Sequence, residues 1–234
     1  MIDFPELRND ITGRSEKLEQ ADHSPSIKAW QYSMVGHAEQ CVDKYLELTG
    51  KSIEVLKPAA TPNIDDHMFT KEDFSNKGEV ADVAARIVLK ALYLARTNRP
   101  DILWTVNALA RKVTKWDASC DKRLLRLISY LHSTKDQSIT CYVGDCIANC
   151  NVHLFVDASF AGDLEDSKST TGAMVVLVGQ NTWIPITWLC KKQGAVSHSS
   201  TEAEVIALET SLRMEGIPSV MLWDLVLQVL MSKT

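Results

Sequence analysis

Two carboxylates in this 234-residue chain stand where acids do chemistry. Asp157 closes an apolar run, "HLFVDAS" (His153–Ser159), and Glu202 lies at the polar start of "SSTEAEVIAL" (Ser199–Leu208). One acid at a strand end and another in a helix's first turn can converge on a hard divalent cation, because Mg²⁺ takes oxygen ligands at roughly 2.0–2.1 Å. Two such ions, roughly 3.5–4 Å apart, clamp the attacking and leaving oxygens of a phosphodiester and need several carboxylates. The same residues have a structural reading. Ser199 and Glu202 form an S-x-x-E capping box, and Thr201 with Glu204 forms another one step later. Asp157 equally suits a turn before Ala-Ser. Glu202 and Glu204 are about 200° apart on a helix, so only one can point at the strand. The apolar stripe Val205, Leu208, Leu212 lies between them and does not settle which.

Other constellations carry less. Cys141, Cys146, Cys150 and His153 offer zinc donors, but C-x4-C-x3-C-x2-H departs from usual zinc spacings, and cysteines in strand-like stretches are often small core residues. Arg111 to Lys135 holds seven basic residues with Asp117 and Asp121 as acids. Such a run suits a phosphate backbone or a solvated helix face. Lys191 and Lys192 follow a strand and are candidates to meet nucleic acid. "KSTTG" (Lys168–Gly172) reads as a hairpin turn, with hydroxyls that could also meet a 2′-OH. The six Trp read as core and rim residues.

The elements that must position these groups fall into two regions. Residues 1–30 are a polar lead-in without periodicity. "QYSMVGHAEQCVDKYLELTG" (31–50) reads as a helix closing at Gly50. "KPAATPNIDD" is a loop, and 66–79 a polar connection. Helices are expected over 79–101 (apolar Val83, Ile87, Leu89, Tyr93, Leu94), from Pro100 onward, and over "SCDKRLLRLISYLHST", where Leu124, Ile128 and Leu131 form the stripe and Lys122, Arg123 and Arg126 lie off it. Beyond about residue 138 the period shortens: "SITCYVG" is strand-like, and "NVHLFVDAS", "TTGAMVVLVG" and "TWIPITWLCKK" are strands. Pro185 marks an edge or bulge. Two helices follow, the last with Pro218 in its first turn. Hydrophobic content of 45% with 24% charged residues is ordinary for a globular chain, and a net charge of −5 argues against a uniformly basic nucleic-acid binder. The longest apolar run, Val220 to Met231, is interrupted by Asp224 and Gln228 and is too short for a bilayer. No secretory layout opens the chain. Six scattered cysteines suit reduced thiols inside a cell.

The longest motifs match a known pattern in order and spacing. "FVDASFAGDLEDSKSTTGAMVVL…ITWLCKKQGAVSHSSTEAEVIAL" closely resembles the ribonuclease H region of copia-type LTR retrotransposon polyproteins, which runs D-A-D-W-A-G-D…R-K-S-T-S-G-Y, I-S-W-x-S-K-K-Q and S-S-T-E-A-E-Y-x-A-L. Upstream, "KPAATP", "ALYLARTNRPDILWTVNALAR" and "LLRLISYLHSTKD" are similar to K-P-x-x-T-P, L-x-Y-L-x-x-T-R-P-D-I-x-x-A-V-x-x-L-S-R and V-L-R-Y-L-x-G-T-x-D. The resemblance covers roughly residues 31–215.

It implies an α+β chain in three parts: the lead-in (1–30), a helical thumb- or connection-like region of a reverse transcriptase (31–138), and a truncated ribonuclease H-like domain (139–234) with a three-stranded antiparallel sheet and two helices. It implies Asp157 and Glu202 as catalytic acids holding Mg²⁺, with two ions in the intact family, for cleavage of RNA in RNA–DNA hybrids. The departures are specific. The family's third acid opens a D-N-Q segment where this chain ends at Thr234, and the fourth lies further on. Asp224 is the only nearby substitute, in an apolar helix where it is expected to face water. The Y-x-D-D palm motif is absent, and D-A-D-W has become Asp157-Ala158-Ser159-Phe160. The expectation is a Pol fragment lacking two of four acids and inactive as this chain. The alternatives are a transposon-derived remnant and a nucleic-acid-binding module. Expected partners are an RNA–DNA hybrid or other nucleic acid and the rest of the Pol polyprotein, with no membrane, in cytoplasmic virus-like particles or the nucleus.

Overall fold

A computed structural model of the chain describes residues 26–163 and 165–231; most of the polar lead-in, 1–25, lies outside the described residues. The chain divides into two compact units. One is Tyr32–Ile139, and the other joins the described residues up to Gln31 with those from Thr140 onward. Among the described residues no helix is long and apolar enough to cross a membrane.

The Tyr32–Ile139 unit is helical. Helix α1 (Val35–Thr49) buries Ala38, Cys41, Val42 and Tyr45, one stripe at helical spacing, and stops where Gly50 takes φ 65° and returns its N–H to the Leu46 carbonyl. The short α2 (Lys71–Ser75) opens on a capping box between Thr70 and Asp73. Helix α3 (Ala81–Thr97) buries Ala84, Ile87, Val88, Ala91, Leu94 and Ala95. The expected stripe was right at Ile87 and Leu94 and wrong at Leu89 and Tyr93, which are exposed. The alanines take the inner face because they let neighbouring helices approach closely, and apolar counting alone does not see that. Pro100 begins a tight turn into α4 (Leu103–Lys112), which buries Leu103, Val106 and Leu109. Helix α5 (Ala118–Ser133) starts on Asp117, whose carboxylate accepts the Cys120 N–H, and fully buries Leu124, Ile128 and Leu131 as expected. Helix α1 packs on α3 and α5, and α4 on α3 and α5, enclosing one apolar core.

The second unit carries a five-stranded sheet, not a three-stranded one. Its strands are β1 (Lys28–Tyr32), β2 (Ile139–Val143), β3 (Asn151–Ser159), β4 (Thr170–Gly179) and β5 (Thr182–Lys192), in the order β1-β2-β5-β4-β3. Neighbours β2/β5, β5/β4 and β4/β3 are antiparallel. Strand β1 escaped the sequence reading because KAWQY is short and leaves four of its five residues exposed, so no alternation marks it. Pro185 sits at a bulge: Val175 pairs with Thr187 but Val176 pairs with Pro185, which leaves Ile186 as the extra residue.

Helix α6 (Ser200–Ser211) lies across one face of β3 and β4. It buries Ala203, Ala207 and Ser211, while Val205, Leu208 and Leu212 are exposed. The expected apolar stripe therefore points outward, and the small residues face the sheet. A wider, π-helical turn (Leu212–Gly216) follows. There Glu215 accepts the Thr187 hydroxyl from β5 at 3.0 Å, and Gly216 lies so close to Leu154 that a Cβ would approach its side chain to 3.1 Å. Helix α7 (Ile217–Met231) continues from it, with Asp224 exposed as expected.

Candidate functional site

Asp157 is the seventh residue of β3 and sits opposite Gly172 of β4. Strand alternation places it with Asn151, His153 and Phe155 on the face away from α6, where all are exposed. The next residue, Ala158, has its N–H turned to the sheet's outer edge, and the Glu204 carboxylate accepts it at 3.3 Å. So the acid of α6 that touches the end of β3 is Glu204.

Glu202 does something else with its charge. Its N–H donates to the Ser199 hydroxyl at 3.1 Å, and its Oε2 accepts the His198 N–H at 2.7 Å. These two bonds satisfy two donors at the helix start, one of them on the residue before the N-cap, and place a negative charge at the positive end of the helix dipole. Among the described residues no hydrogen bond or ion pair joins Asp157 to Glu202, and no three His, Cys, Asp or Glu side chains gather into a metal-sized group. Asp157 and Glu202 share a corner of the unit, the end of β3 and the first turn of α6, through Glu204.

The remaining cluster at this corner is an ion-pair knot. Lys192, at the end of β5, bonds Asp163 and reaches Asp166 at 2.8 Å. Burial pushes the Asp163 carboxyl up, but the Lys192 ammonium and the Glu165 N–H outweigh it and hold it below the usual range. The Lys192 hydrogen bond does the same for Asp166. Thus the acidic cluster after Asp157 grips Lys192, which the sequence reading had offered to nucleic acid. Lys191 is exposed. The Ser-Thr-Thr segment enters β4 at Thr170; the turn precedes it, and fully buried Ser169 accepts the Ala161 N–H.

Gln193 was not foreseen. Buried at 5% exposure, it donates to the Thr171 hydroxyl and the Ala203 carbonyl and accepts from Ser197. It pegs the end of β5 to β4 and to the start of α6. Its signal was the final Q of the K-K-Q motif, a polar residue directly after a strand.

The basic run of the helical unit is largely committed. Lys122 pairs with Asp73, Arg123 with Asp66 while lying 4.6 Å over the Phe69 ring, Arg126 with the Thr61 carbonyl, and Lys135 with Glu39. Three of its seven cations fasten neighbouring segments to α5, and Lys135, just beyond that helix, pairs with α1. The zinc set does not assemble: Cys141 is fully buried in β2, Cys146 is exposed, and His153 stacks on Phe155.

Comparison with known proteins gives a consistent set of relatives. The chain is 34% identical over 171 residues, 70% of its length, to the retrovirus-related Pol polyprotein from transposon RE2 of Arabidopsis thaliana, of which it covers 11%. It is 38% identical over 136 residues (58% of the chain, 9% of the relative) to the corresponding polyprotein from transposon RE1 of the same plant. It is 28% identical over 176 residues (70% and 12%) to that from transposon TNT 1-94 of Nicotiana tabacum. The chain thus spans about a tenth of the length of these relatives. No family model and no solved structure matches it.

Proposed function

The chain belongs to the retrovirus-related Pol polyproteins of copia-type transposons, and on that premise we propose that it is a Pol segment that contributes to a ribonuclease H-type site without completing one by itself. The observation that carries this reading is the shared corner, where Glu204, just past the first turn of α6, bonds the residue after Asp157. In the proposed polyprotein the corner offers Asp157 to Mg²⁺ against the RNA strand of an RNA–DNA hybrid, and Glu202 joins it only by leaving its cap on the His198 N–H. Their chemistry suits Mg²⁺, since both are oxygen donors. Their number and engagement do not suit a two-ion centre: no third donor joins them among the described residues, and Glu202 is held as a cap. No hydrolytic step is therefore assigned to this chain alone. The partners in this reading are the hybrid and the remainder of Pol.

The test is a denaturing gel of a hybrid labelled on its RNA strand. With Mg²⁺, the purified chain is expected to leave the RNA intact, while a copia-type Pol polyprotein carrying this segment cuts it and loses the activity on Asp157→Asn. Glu202→Gln and Glu204→Gln in the polyprotein separate the two acids of α6. Mg²⁺-dependent cleavage by the isolated chain, abolished by Asp157→Asn, would overturn the reading.

A further inference from the structure

One buried amide reaches every segment of the corner between β3 and α6. Gln193 follows β5 directly and extends its ladder by a step, its backbone N–H donating to the Ser169 carbonyl at 2.9 Å. Its side-chain Nε2 donates to the Thr171 hydroxyl at 3.2 Å and to the Ala203 carbonyl at 2.9 Å, and Oε1 accepts the Ser197 hydroxyl at 3.1 Å. Gln193 and these three partners are all buried. A buried amide is costly to leave unpaired, so the three bonds stand or fall together.

Each partner is next to an acid or to the residue that an acid holds. Thr171 pairs across the sheet with Ala158, the residue after Asp157. Ala203 lies between Glu202 and Glu204. Ser197 precedes His198, whose N–H Glu202 accepts. The packing of α6 alone does not fix its place along its own axis. Ala203, Ala207 and Ser211 form a row of small side chains one turn apart, and apolar contact is non-directional. A hydrogen bond weakens steeply away from its preferred angle. The bond from Gln193 to the Ala203 carbonyl therefore sets a register that small side chains leave loose. At the other end of the helix, Glu215 does the same through Thr187.

Resting on the ribonuclease H-type reading above, we propose that Gln193 is a positioning residue for this corner: its two amide hydrogens, given to β4 and to α6, set where Glu202 and Glu204 stand against Asp157. Being buried, it acts through Thr171 and Ala203 and does not meet the hybrid.

Three variants test this. Gln193→Met keeps the volume and removes the side-chain hydrogen bonds; Thr171→Val removes one acceptor and keeps the shape; Thr171→Ser gives the hydroxyl back. The first measurement needs no cleavage. In the ¹H–¹⁵N spectrum of the intact chain, the Ala158 amide proton, which donates to Glu204, should move upfield in Gln193→Met and Thr171→Val. It should stay in place in Thr171→Ser. Val175 and Val176, buried in the middle of β4, should keep their positions in all three. The second measurement is kinetic. In a copia-type Pol polyprotein carrying this segment, Gln193→Met should lower kcat roughly 10²-fold, the scale of a misplacement of about 1 Å, and leave KM for the hybrid unchanged. An Ala158 resonance that stays put in both Gln193→Met and Thr171→Val overturns the proposal. So does an equal displacement of Val175 and Val176, which marks a general loosening of the unit, and so does a raised KM with kcat unchanged. Should Gln193→Met fail to fold, the Thr171 pair decides by the same resonance. A parent polyprotein that leaves the hybrid intact sinks the ribonuclease reading instead, and the spectra of the chain still decide the role of Gln193.

Discussion

At Arg99 a single residue decides how one end of the helical unit is held. Only 2% exposed, its guanidinium grips Asp101 through two nitrogens, at 2.9 and 2.7 Å, and Thr134 through the carbonyl and hydroxyl, both at 2.8 Å. Tyr130 lies under it at 5.5 Å and donates its hydroxyl to Asp101. Arg99→Ala strands a partly buried carboxylate and should cost about 3 kcal/mol in urea unfolding. Arg99→Lys should recover little of this, because the planar fork is what matches both partners. The knot around Lys192 predicts a pH dependence. Asp163 and Asp166 titrate lower folded than unfolded. Their contribution is then complete above the unfolded value of about 3.9 and disappears as pH falls through the folded values. Acid titration of ellipticity should show Lys192→Met losing structure at higher pH than the parent; coincident curves would refute the assignment. Little of this was legible in advance. The R-P-D of Arg99–Asp101 and the paired acids after Asp157 are visible as letters, but their partners lie 35 and 29 residues away along the chain, and spacing alone does not say what folds back onto what.

Among the elements, α6 shows most clearly what pattern reading can and cannot see. Its start was legible, because S-x-x-E is a local device and Ser199 caps as the letters say. Its inner face was not. Apolar counting chose Val205, Leu208 and Leu212, whereas close contact with β3 and β4 selected Ala203, Ala207 and Ser211. Two substitutions separate these readings. Ala207→Leu overfills the contact and should cost about 1–3 kcal/mol, while Val205→Ala, at a position 61% exposed, should stay within about 0.5 kcal/mol. Urea midpoints of the two variants provide the comparison. A larger loss at Val205 would return the helix to the orientation read from hydrophobicity. Strand calling fared better where alternation was strong, as in β3, and failed at β1, whose residues meet solvent on both faces.

For the molecule as a whole, thiol chemistry offers a check on both units. Burial pushes Cys41 up to about 12 and Cys120 up to about 11, while Cys146 is exposed. Because the thiolate is the reactive form, alkylation at mildly alkaline pH should mark Cys146 first and reach Cys41 and Cys120 only after denaturant is added. Rapid labelling of Cys41 in buffer would contradict the helical core. The α+β character was readable in the change of period near residue 138; the membership of β1 in the later sheet was not, since nothing local ties Lys28–Tyr32 to a strand that starts at Ile139. That separation has a consequence for biosynthesis. When β1 leaves the ribosome its neighbour β2 is not yet made, and the whole segment between Tyr32 and Ile139 must be translated first. At roughly 5–20 residues per second, the nascent β1 segment waits on the order of ten seconds without its neighbour, within reach of chaperones and proteases alike.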